Sequence, residues 1–290
     1  MRLLVFKSAS GPRLGAVRED TVVDLGEVAA DLAGLIDMGE PGLVRARMVL
    51  AATTSACFAL DQATLLNPLP QPRGNVLCVG LNYRKHAEEG ARIRGGEVPP
   101  PTIFTKAATS LVGPFDNLLL DTSVTSKLDW EVELGVVIGR SGVNIPPEQA
   151  LDHVFGYTVI NDVSARDVQH DWGGQWFKGK SLDSTSPVGP HVVTTDEVPD
   201  PQSLELRLSV NGVVKQAANT GAMIYAVDAL ISWLSVGMTV PAGALIATGT
   251  PEGVGNAMTP AEYLRVGDLV EAQVSGIGVL RNRVVDSGRR

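Results

Sequence analysis

The chain has little cysteine and no long apolar run. Two cysteines, Cys57 and Cys78, are too few for a disulfide framework and lack the spacing of a zinc site. No stretch approaches the ~20 apolar residues of a membrane span. The apolar run at residues 3–6 ends at Lys7, which is too short for the core of a signal peptide. We therefore expect a cytoplasmic protein with reduced thiols and no membrane partner.

Basic residues are also scarce relative to acidic ones. The chain of 290 residues has 24 Lys and Arg against 32 Asp and Glu, a formal net charge of −8. Nucleic-acid and anionic-membrane partners favour a basic surface, so the charge balance excludes both as expected partners. The 44% hydrophobic content supplies a packed core, and 31 glycines with 18 prolines predict many turns, as in strand-rich folds.

Three prolines between Asn67 and Gly74 indicate a linker, because proline cannot donate to a helix or a central strand. We predict a small N-terminal domain at residues 1–70 and a larger, strand-dominated domain at residues 71–290. Within the larger domain, Asn211-Gly212 lies between two alternating apolar segments. This dipeptide is the strongest hairpin signal in the chain.

Glu131 and Glu133 lie in a segment that continues as an apolar strand to Ile138. Residues i and i+2 of a strand face the same side, so the two carboxylates point together. In a buried sheet they would repel each other and lose hydration, and a divalent cation would relieve both costs. The alternative is an exposed strand end with a surface pair.

Asp162 ends the next predicted strand, at residues 155–162. An acid at this position is either a metal ligand or a simple cap. Together with Glu131 and Glu133 it would supply three carboxylate oxygens. Such a set, with open positions for water, suits Mg²⁺ or Mn²⁺ and does not suit zinc.

His86 and Glu89 are three residues apart in a segment, residues 82–90, that we predict to be a short helix ending at Gly90. A carboxylate beside an imidazole orients it and raises its basicity, as a general base requires. A surface contact is the alternative. The glycine- and proline-rich residues 90–101 that follow are either a lid or an ordinary surface loop.

Lys180 lies in an aromatic and glycine-rich segment, where it is either held toward an anionic ligand or solvated at the surface. The nearby Trp172 and Trp176 suggest an apolar or planar substrate tail, although core packing explains them equally well. The glycines of residues 247–255 would let backbone amides approach a ligand oxygen. This pattern matches no nucleotide-binding motif.

Taken together, these segments resemble the fumarylacetoacetate hydrolase superfamily. The similarity covers residues 75–285 and follows the family's order. The motifs that carry it are VGLNYRKH at 79–86, EVE at 131–133, NDVSARDVQ at 161–169, KGKS at 178–181 and TGTPEGVG at 248–255.

The resemblance implies a strand-dominated α+β fold, the mixed β-sandwich roll of this family with a small N-terminal α/β domain, usually as a homodimer. It also implies a set of functional residues. These are the metal ligands Glu131, Glu133 and Asp162, the catalytic residues His86, Glu89 and Lys180, and the substrate-binding residues Gln169, Thr250 and Arg166.

One departure narrows the comparison. The larger animal-type hydrolases place a fourth metal carboxylate just before the histidine, whereas residues 78–81 here contain no acid. The sequence therefore resembles the compact, three-carboxylate branch. That branch includes acylpyruvate hydrolases, oxaloacetate decarboxylases, and isomerases of hydroxymuconate-type and hydroxyheptadienedioate-type acids.

The favoured expectation from this resemblance is hydrolysis of a carbon–carbon bond in a 2,4-dioxo acid such as an acylpyruvate. His86, oriented by Glu89, would activate a water, and pyruvate would leave as an enolate stabilised by Mg²⁺ or Mn²⁺. The alternative keeps the same metal site for oxaloacetate decarboxylation or for keto–enol and double-bond isomerisation. A third possibility is a non-catalytic member that binds a 2-oxo acid.

Overall fold

The computed structural model describes residues 1–52, 57–94 and 102–288. The strands before residue 130 are β1 (Arg2–Ser8), β2 (Gly11–Arg18), β3 (Thr21–Asp24), β4 (Cys57–Ala59), β5 (Leu65–Leu66), β6 (Val76–Gly80), β7 (Thr102–Lys106), β8 (Leu111–Val112), β9 (Leu118–Leu120) and β10 (Leu128–Asp129). The later strands are β11 (Val132–Ile138), β12 (Val154–Asn161), β13 (Ser164–Ala165), β14 (Ser186–Thr194), β15 (Glu205–Val210), β16 (Val213–Asn219), β17 (Leu245–Ala247), β18 (Leu269–Val274) and β19 (Gly278–Asp286). The helices are α1 (Leu32–Ala51), α2 (Arg84–Arg94), α3 (Pro147–Ala150), α4 (Arg166–Asp171), α5 (Phe177–Lys180) and α6 (Val227–Leu234).

Most of these strands form two mixed sheets. The larger sheet has twelve strands, in the order β4-β3-β2-β1-β14-β12-β11-β17-β6-β7, with β5 paired to β1 and β8 to β14. The smaller sheet has the order β16-β15-β18-β19-β9, and β10 pairs separately with β13. The predicted Asn211-Gly212 hairpin is confirmed, since β15 and β16 pair on either side of it. This strand-dominated α+β architecture confirms the predicted fold class.

Strand β11 lies in the middle of the larger sheet and is buried along its whole length. Its side chains Val132, Leu134 and Val136 pack in the main apolar core, which also contains residues of β15, β18 and α6. Val137, on the opposite face, packs in a second core together with α1. Because residues alternate along a strand, Glu133 shares the face of Val137 and points away from the main core.

The N-terminal segment is joined to the same sheet, because β1 pairs antiparallel with β14, at Leu3 with Val192. Helix α1 packs against it, capped by the Asp31 side chain, which accepts a hydrogen bond from the Gly34 N–H. The domain boundary at residue 70 stays a prediction.

Two details of the predicted helix and lid change. The predicted helix end at Gly90 is wrong, since α2 continues to Arg94. A glycine inside a helix costs only about 1 kcal/mol relative to alanine, which contacts of the helix can offset. Of the predicted lid at residues 90–101, residues 95–101 lie outside the described part of the chain. Within the described ranges, no helix combines the length and apolarity needed to cross a membrane.

Candidate active site

Three carboxylates meet where β11 begins and β12 ends. The two strands are antiparallel neighbours with Val132 opposite Asn161, and the Asp162 N–H donates to the Glu131 carbonyl at 2.8 Å. Glu131, Glu133 and Asp162 therefore come together, and one oxygen of each lies within 4.8 Å of the others. All three are buried. The sequence-based expectation of a surface pair is thereby excluded.

Lys180 links two of these carboxylates. Its Nζ donates to Glu131 Oε2 at 2.7 Å and to Asp162 Oδ2 at 2.8 Å, and the side chain is 2% exposed. Two hydrogen bonds leave one of the three ammonium N–H groups for a ligand. The alternative of a solvated surface lysine is excluded, and the predicted catalytic role of Lys180 remains a prediction.

Lys106 is a site residue that sequence reasoning missed. It ends β7, is fully buried, and donates from Nζ to Asp162 Oδ1 at 2.6 Å and to the Val163 carbonyl at 3.1 Å. Asp162 thus has a lysine on each oxygen. The available signal was a lysine that closes an apolar strand, but only the pairing of β6 with β7 and of β6 with β17 places that strand near Asp162.

Arg166 and Asp129 form the other missed contact. The Arg166 guanidinium donates to Asp129 Oδ2 at 2.7 Å and to Glu131 Oε1 at 2.6 Å. Asp129 also accepts hydrogen bonds from the Gly255 and Asn256 N–H groups. Arg166 lines the cavity described below, but its guanidinium is already engaged by two carboxylates. Its predicted contact with substrate stays a prediction.

The carboxylates differ in their electrostatic environment. Burial raises the pKa of Glu131, but the Lys180 and Arg166 cations oppose it and bring that pKa to about 2. Burial, together with the neighbouring Asp162 and Glu131 charges, raises the pKa of Glu133 well above its usual value. Glu133 accepts a hydrogen bond from the Gly249 N–H at 2.8 Å, and among the described residues no ion pair of its carboxylate is recorded.

This donor set fits a divalent cation. The four buried carboxylates of Asp129, Glu131, Glu133 and Asp162 outnumber the three buried cations of Lys106, Arg166 and Lys180 by one. Glu133 is the carboxylate whose negative charge is least compensated, because Lys180 and the Gly249 N–H only partly oppose the effects of burial and of the neighbouring carboxylates on its pKa. A hard cation prefers carboxylate oxygens and would supply the missing positive charge. Glu131, Glu133 and Asp162 are therefore the residues that would hold it.

His86 and Glu89 lie on one face of α2, at the edge of the same cavity. The His86 Nδ1 is 3.3 Å from Glu89 Oε2, and the Gly253 N–H donates to the Glu89 carboxylate at 3.1 Å. An ionised carboxylate can only accept, so Nδ1 carries the proton and Nε2 keeps its lone pair when the ring is neutral. The predicted pair is formed, and its catalytic role stays a prediction.

The two remaining predicted substrate ligands, Gln169 and Thr250, differ in whether they have an unused hydrogen-bond donor to offer a substrate. Gln169 accepts from Arg166 Nη1 at 3.1 Å, which leaves its amide NH₂ group to donate, and the residue lines the cavity. The Thr250 hydroxyl donates to the Val132 carbonyl and accepts from Gln216 Nε2, both at 2.9 Å. The hydroxyl proton is thus already used in a hydrogen bond. A substrate oxygen could accept it only by replacing the Val132 carbonyl oxygen as the acceptor.

Most of these residues line one cavity of about 450 Å³, namely His86, Glu89, Glu131, Glu133, Arg166, Gln169, Lys180 and Thr250, whereas Lys106, Asp129 and Asp162 lie behind its wall. Its apolar wall includes Phe104 and Trp176, whose rings meet edge to face with centroids 5.3 Å apart. Trp172, by contrast, is 56% exposed and is not among the residues that line the cavity. Of the two tryptophans singled out in the sequence, only Trp176 is placed to contact a substrate.

Gly179 lets Lys180 reach the carboxylates, because a Cβ at Gly179 would lie 2.4 Å from the Gln169 nitrogen. We expect Gly179→Ala to destabilise the protein by about 1–3 kcal/mol, the usual cost of overpacking, and to shift α5. Thermal unfolding measures the loss. Gly34→Ala is the matched control, since its Cβ would meet only the Asp31 side chain at 3.3 Å and Ala29 at 3.9 Å. Equal melting temperatures for wild type and Gly179→Ala would contradict the expectation.

Comparison with known proteins shows which proteins the chain is similar to. The family model for the fumarylacetoacetate (FAA) hydrolase C-terminal region matches residues 75–285. The chain is 44% identical over 232 residues to an oxaloacetate tautomerase of Bacillus subtilis, covering 79% of this chain and 76% of that protein. It is 40% identical over 295 residues to a mitochondrial oxaloacetate tautomerase of Bos taurus, covering 98% and 92% of the two chains.

Solved structures agree in fold. A fumarylacetoacetate hydrolase from Exiguobacterium antarcticum superposes with a TM-score of 0.86 at 38% identity, covering 99% of each chain. A 2-hydroxyhepta-2,4-diene-1,7-dioate isomerase from Mycobacterium marinum superposes with a TM-score of 0.77 at 34% identity, covering 100% of each chain. Similar proteins thus include both isomerases and a hydrolase.

Proposed function

The chain belongs to the fumarylacetoacetate hydrolase family, and from that premise we propose that it is a keto–enol tautomerase of a 2-oxo dicarboxylic acid of the oxaloacetate type. The reaction moves one proton between C3 and the 2-oxygen of the substrate. This is the isomerase alternative of the sequence-based expectations, and the similarity to two oxaloacetate tautomerases at 40% identity or more supports it over hydrolysis.

The observation that carries this proposal is the placement of a base and a carboxylate cluster on one cavity. His86 lines the same cavity as Glu131 and Glu133. Glu131, Glu133 and Asp162 would hold a divalent cation, which would polarise the 2-oxo group and acidify the neighbouring C3–H. A tautomerase needs this activation together with one side chain that accepts and returns the C3 proton.

We assign the proton transfer to His86. Its Nδ1–H is oriented by Glu89, which the Gly253 N–H holds in place, so the ring cannot easily turn away. The Nε2 lone pair takes the proton from C3, and the resulting imidazolium is stabilised by the Glu89 carboxylate. The imidazolium then returns this proton to the 2-oxygen, which completes the enol and restores the neutral ring; ketonisation follows the same steps in reverse. Lys180 offers its third N–H to the 2-oxygen as negative charge develops there.

Hydrolysis of an acylpyruvate is the second candidate. The His86–Glu89 pair would serve equally well to activate a water, and the similarity to a fumarylacetoacetate hydrolase favours this use. The two functions share every residue of the site. They differ in the product: tautomerisation conserves the carbon skeleton, whereas hydrolysis releases pyruvate.

The test is the rate at which enolic oxaloacetate loses its ultraviolet absorbance. We expect the protein with Mg²⁺ or Mn²⁺ to accelerate this loss beyond the rate with the same ion alone, and EDTA to abolish the acceleration. Pyruvate and CO₂ are assayed in the same samples, and acylpyruvates are tested in parallel. Pyruvate release from acylpyruvates without any acceleration of ketonisation would favour hydrolysis and contradict the tautomerase proposal.

A further inference from the structure

One lysine that lines the cavity, Lys127, has no recorded side-chain contact among the described residues. Among the described residues that line it, the permanent cations are Lys127, Arg166 and Lys180. Lys180 is engaged by Glu131 and Asp162, and Arg166 by Asp129 and Glu131. For Lys127, no side-chain hydrogen bond or ion pair with any described residue is recorded, and the side chain is exposed.

The backbone of Lys127 is nevertheless fixed. Its N–H donates to Thr125 Oγ1 at 3.1 Å, and its carbonyl accepts from the Arg166 N–H at 3.0 Å. It directly precedes β10. The lysine therefore has a defined position at the cavity while its ammonium group stays free to move toward a ligand.

The surrounding charges make such a cation necessary for an anionic substrate. Two acidic residues of α4, Asp167 and Asp171, line the same cavity. Asp167 accepts from the Thr125 hydroxyl at 2.5 Å and from the Ser126 N–H at 3.0 Å, contacts that favour its ionised form. Among the described residues that line the cavity, Lys127 is the permanent cation not already engaged by carboxylates, so it is the one available to offset Asp167 and Asp171 when a second substrate carboxylate binds there.

The spacing also suits a substrate that is anionic at both ends. Lys127 and Glu131 are four residues apart, which corresponds to at most about 13 Å of extended chain. Both Lys127 and Glu131 line the cavity. A dicarboxylic acid that is held at the carboxylate cluster by its 2-oxo acid end would direct its other end along this wall.

We propose that the Lys127 ammonium binds the distal carboxylate of the substrate and is the residue that selects dicarboxylic over monocarboxylic 2-oxo acids. The inference specifies the substrate class of the proposed active site. Its kinetic test rests on the proposed function, because that test requires turnover. Lys127 takes no part in the proton transfer, so its loss affects binding and leaves the chemical step intact.

The kinetic experiment compares oxaloacetate with its 4-methyl monoester, in which a small neutral ester replaces the distal carboxylate. We expect Lys127→Met to raise KM for oxaloacetate about tenfold, the order of one charge-assisted hydrogen bond at an open site, with kcat unchanged. KM for the monoester should change by less than about twofold. Lys127→Arg should restore most of the preference, because it keeps the charge.

Lys178→Met is the matched control. Lys178 is exposed, lies close in sequence to Lys180, and does not line the cavity. Its replacement by methionine therefore removes the same charge without affecting the proposed contact. An equal rise in KM for oxaloacetate in this control would show a general effect of charge and overturn the proposal. Equal losses on oxaloacetate and its monoester in Lys127→Met would do the same.

A binding measurement separates this proposal from the tautomerase activity. Calorimetry of the Mg²⁺-loaded protein with 2-oxoglutarate and with its 5-methyl ester requires no turnover. We expect wild type to prefer the diacid and Lys127→Met to lose that preference. If wild type binds both probes equally, the assignment of Lys127 is wrong even where tautomerase activity is present. If the preference is found without activity, only the proposed function is wrong.

Discussion

Glu133→Gln should raise the melting temperature of the metal-free protein and remove its stabilisation by Mg²⁺. Burial and two neighbouring carboxylates oppose the ionisation of Glu133, and the Gly249 N–H is the hydrogen-bond donor recorded for its side chain. A neutral amide of the same shape removes that repulsion. A gain of about 1 kcal/mol corresponds to about 2–4 °C in a domain of this size. The same change deletes one of the three proposed metal ligands.

The effect has a definite pH dependence. Because the pKa of Glu133 is raised on folding, the folded state holds more protons than the unfolded state between the unfolded value of about 4.3 and the folded value. Wild-type stability in the absence of metal therefore falls as the pH rises through this window. Glu133→Gln has no such proton to lose, so its advantage grows across the window and then stays constant.

Thermal unfolding in EDTA and in Mg²⁺, at several pH values, measures both effects. Wild type should gain about 2.7 kcal/mol at a Mg²⁺ concentration 100 times the dissociation constant, and Glu133→Gln should gain far less at the same concentration. Glu88→Gln, an exposed glutamate on α2, is the control that should behave as wild type. Asp162 is less suitable, since its replacement would leave the buried Lys106 without a carboxylate partner and would remove one of the two carboxylates that contact Lys180. An undiminished Mg²⁺ response in Glu133→Gln would exclude Glu133 as a ligand.

His86→Ala should lower kcat for oxaloacetate ketonisation by about 10²–10⁴-fold, the usual contribution of a positioned general base. The histidine side chain is 12% exposed, and its recorded contact is with Glu89. Alanine is a strong helix former, so α2 should remain intact. The melting temperature and the Mg²⁺ response should therefore stay close to those of wild type, which confines the loss to the chemical step.

Glu89→Gln separates orientation from proton transfer. The glutamine side chain can still accept from the Gly253 N–H but stabilises an imidazolium less well, so we expect a smaller loss than in His86→Ala. Full ketonisation activity in His86→Ala would contradict the assignment of the base. Retention of oxaloacetate decarboxylation alone in that variant would indicate that decarboxylation proceeds without His86.

Much of the site was predictable from local pattern. The alternation of a strand placed Glu131 and Glu133 on one face, and the end of the next strand placed Asp162 beside them, as the pairing of Val132 with Asn161 shows. The i, i+3 spacing of His86 and Glu89 predicted their contact on α2. The Glu131–Glu133 and His86–Glu89 relations depend on residues close in sequence, and the periods of strand and helix determine them. The approach of Asp162 depends on the pairing of β11 with β12.

Other features follow from contacts that no local pattern encodes. Lys106 reaches Asp162 across 56 positions of the chain, and β1 pairs with β14 across more than 180. The choice between the proposed tautomerisation and the alternative hydrolysis is not encoded in a local pattern either, since both proposals use the same carboxylates and the same base.

The sequence by itself determined that the fold is strand-dominated, that Glu131 and Glu133 point to one side, and that a histidine–glutamate pair lies on a helix, because each follows from short-range periodicity. It named Asp162 as the third carboxylate through the family resemblance. The tertiary structure alone decided which cations reach those carboxylates. Within the described part of the chain, it left Glu133 without a full counter-charge and the Lys127 side chain without a partner, because the burial and charge balance of a side chain depend on every strand and helix packed around it.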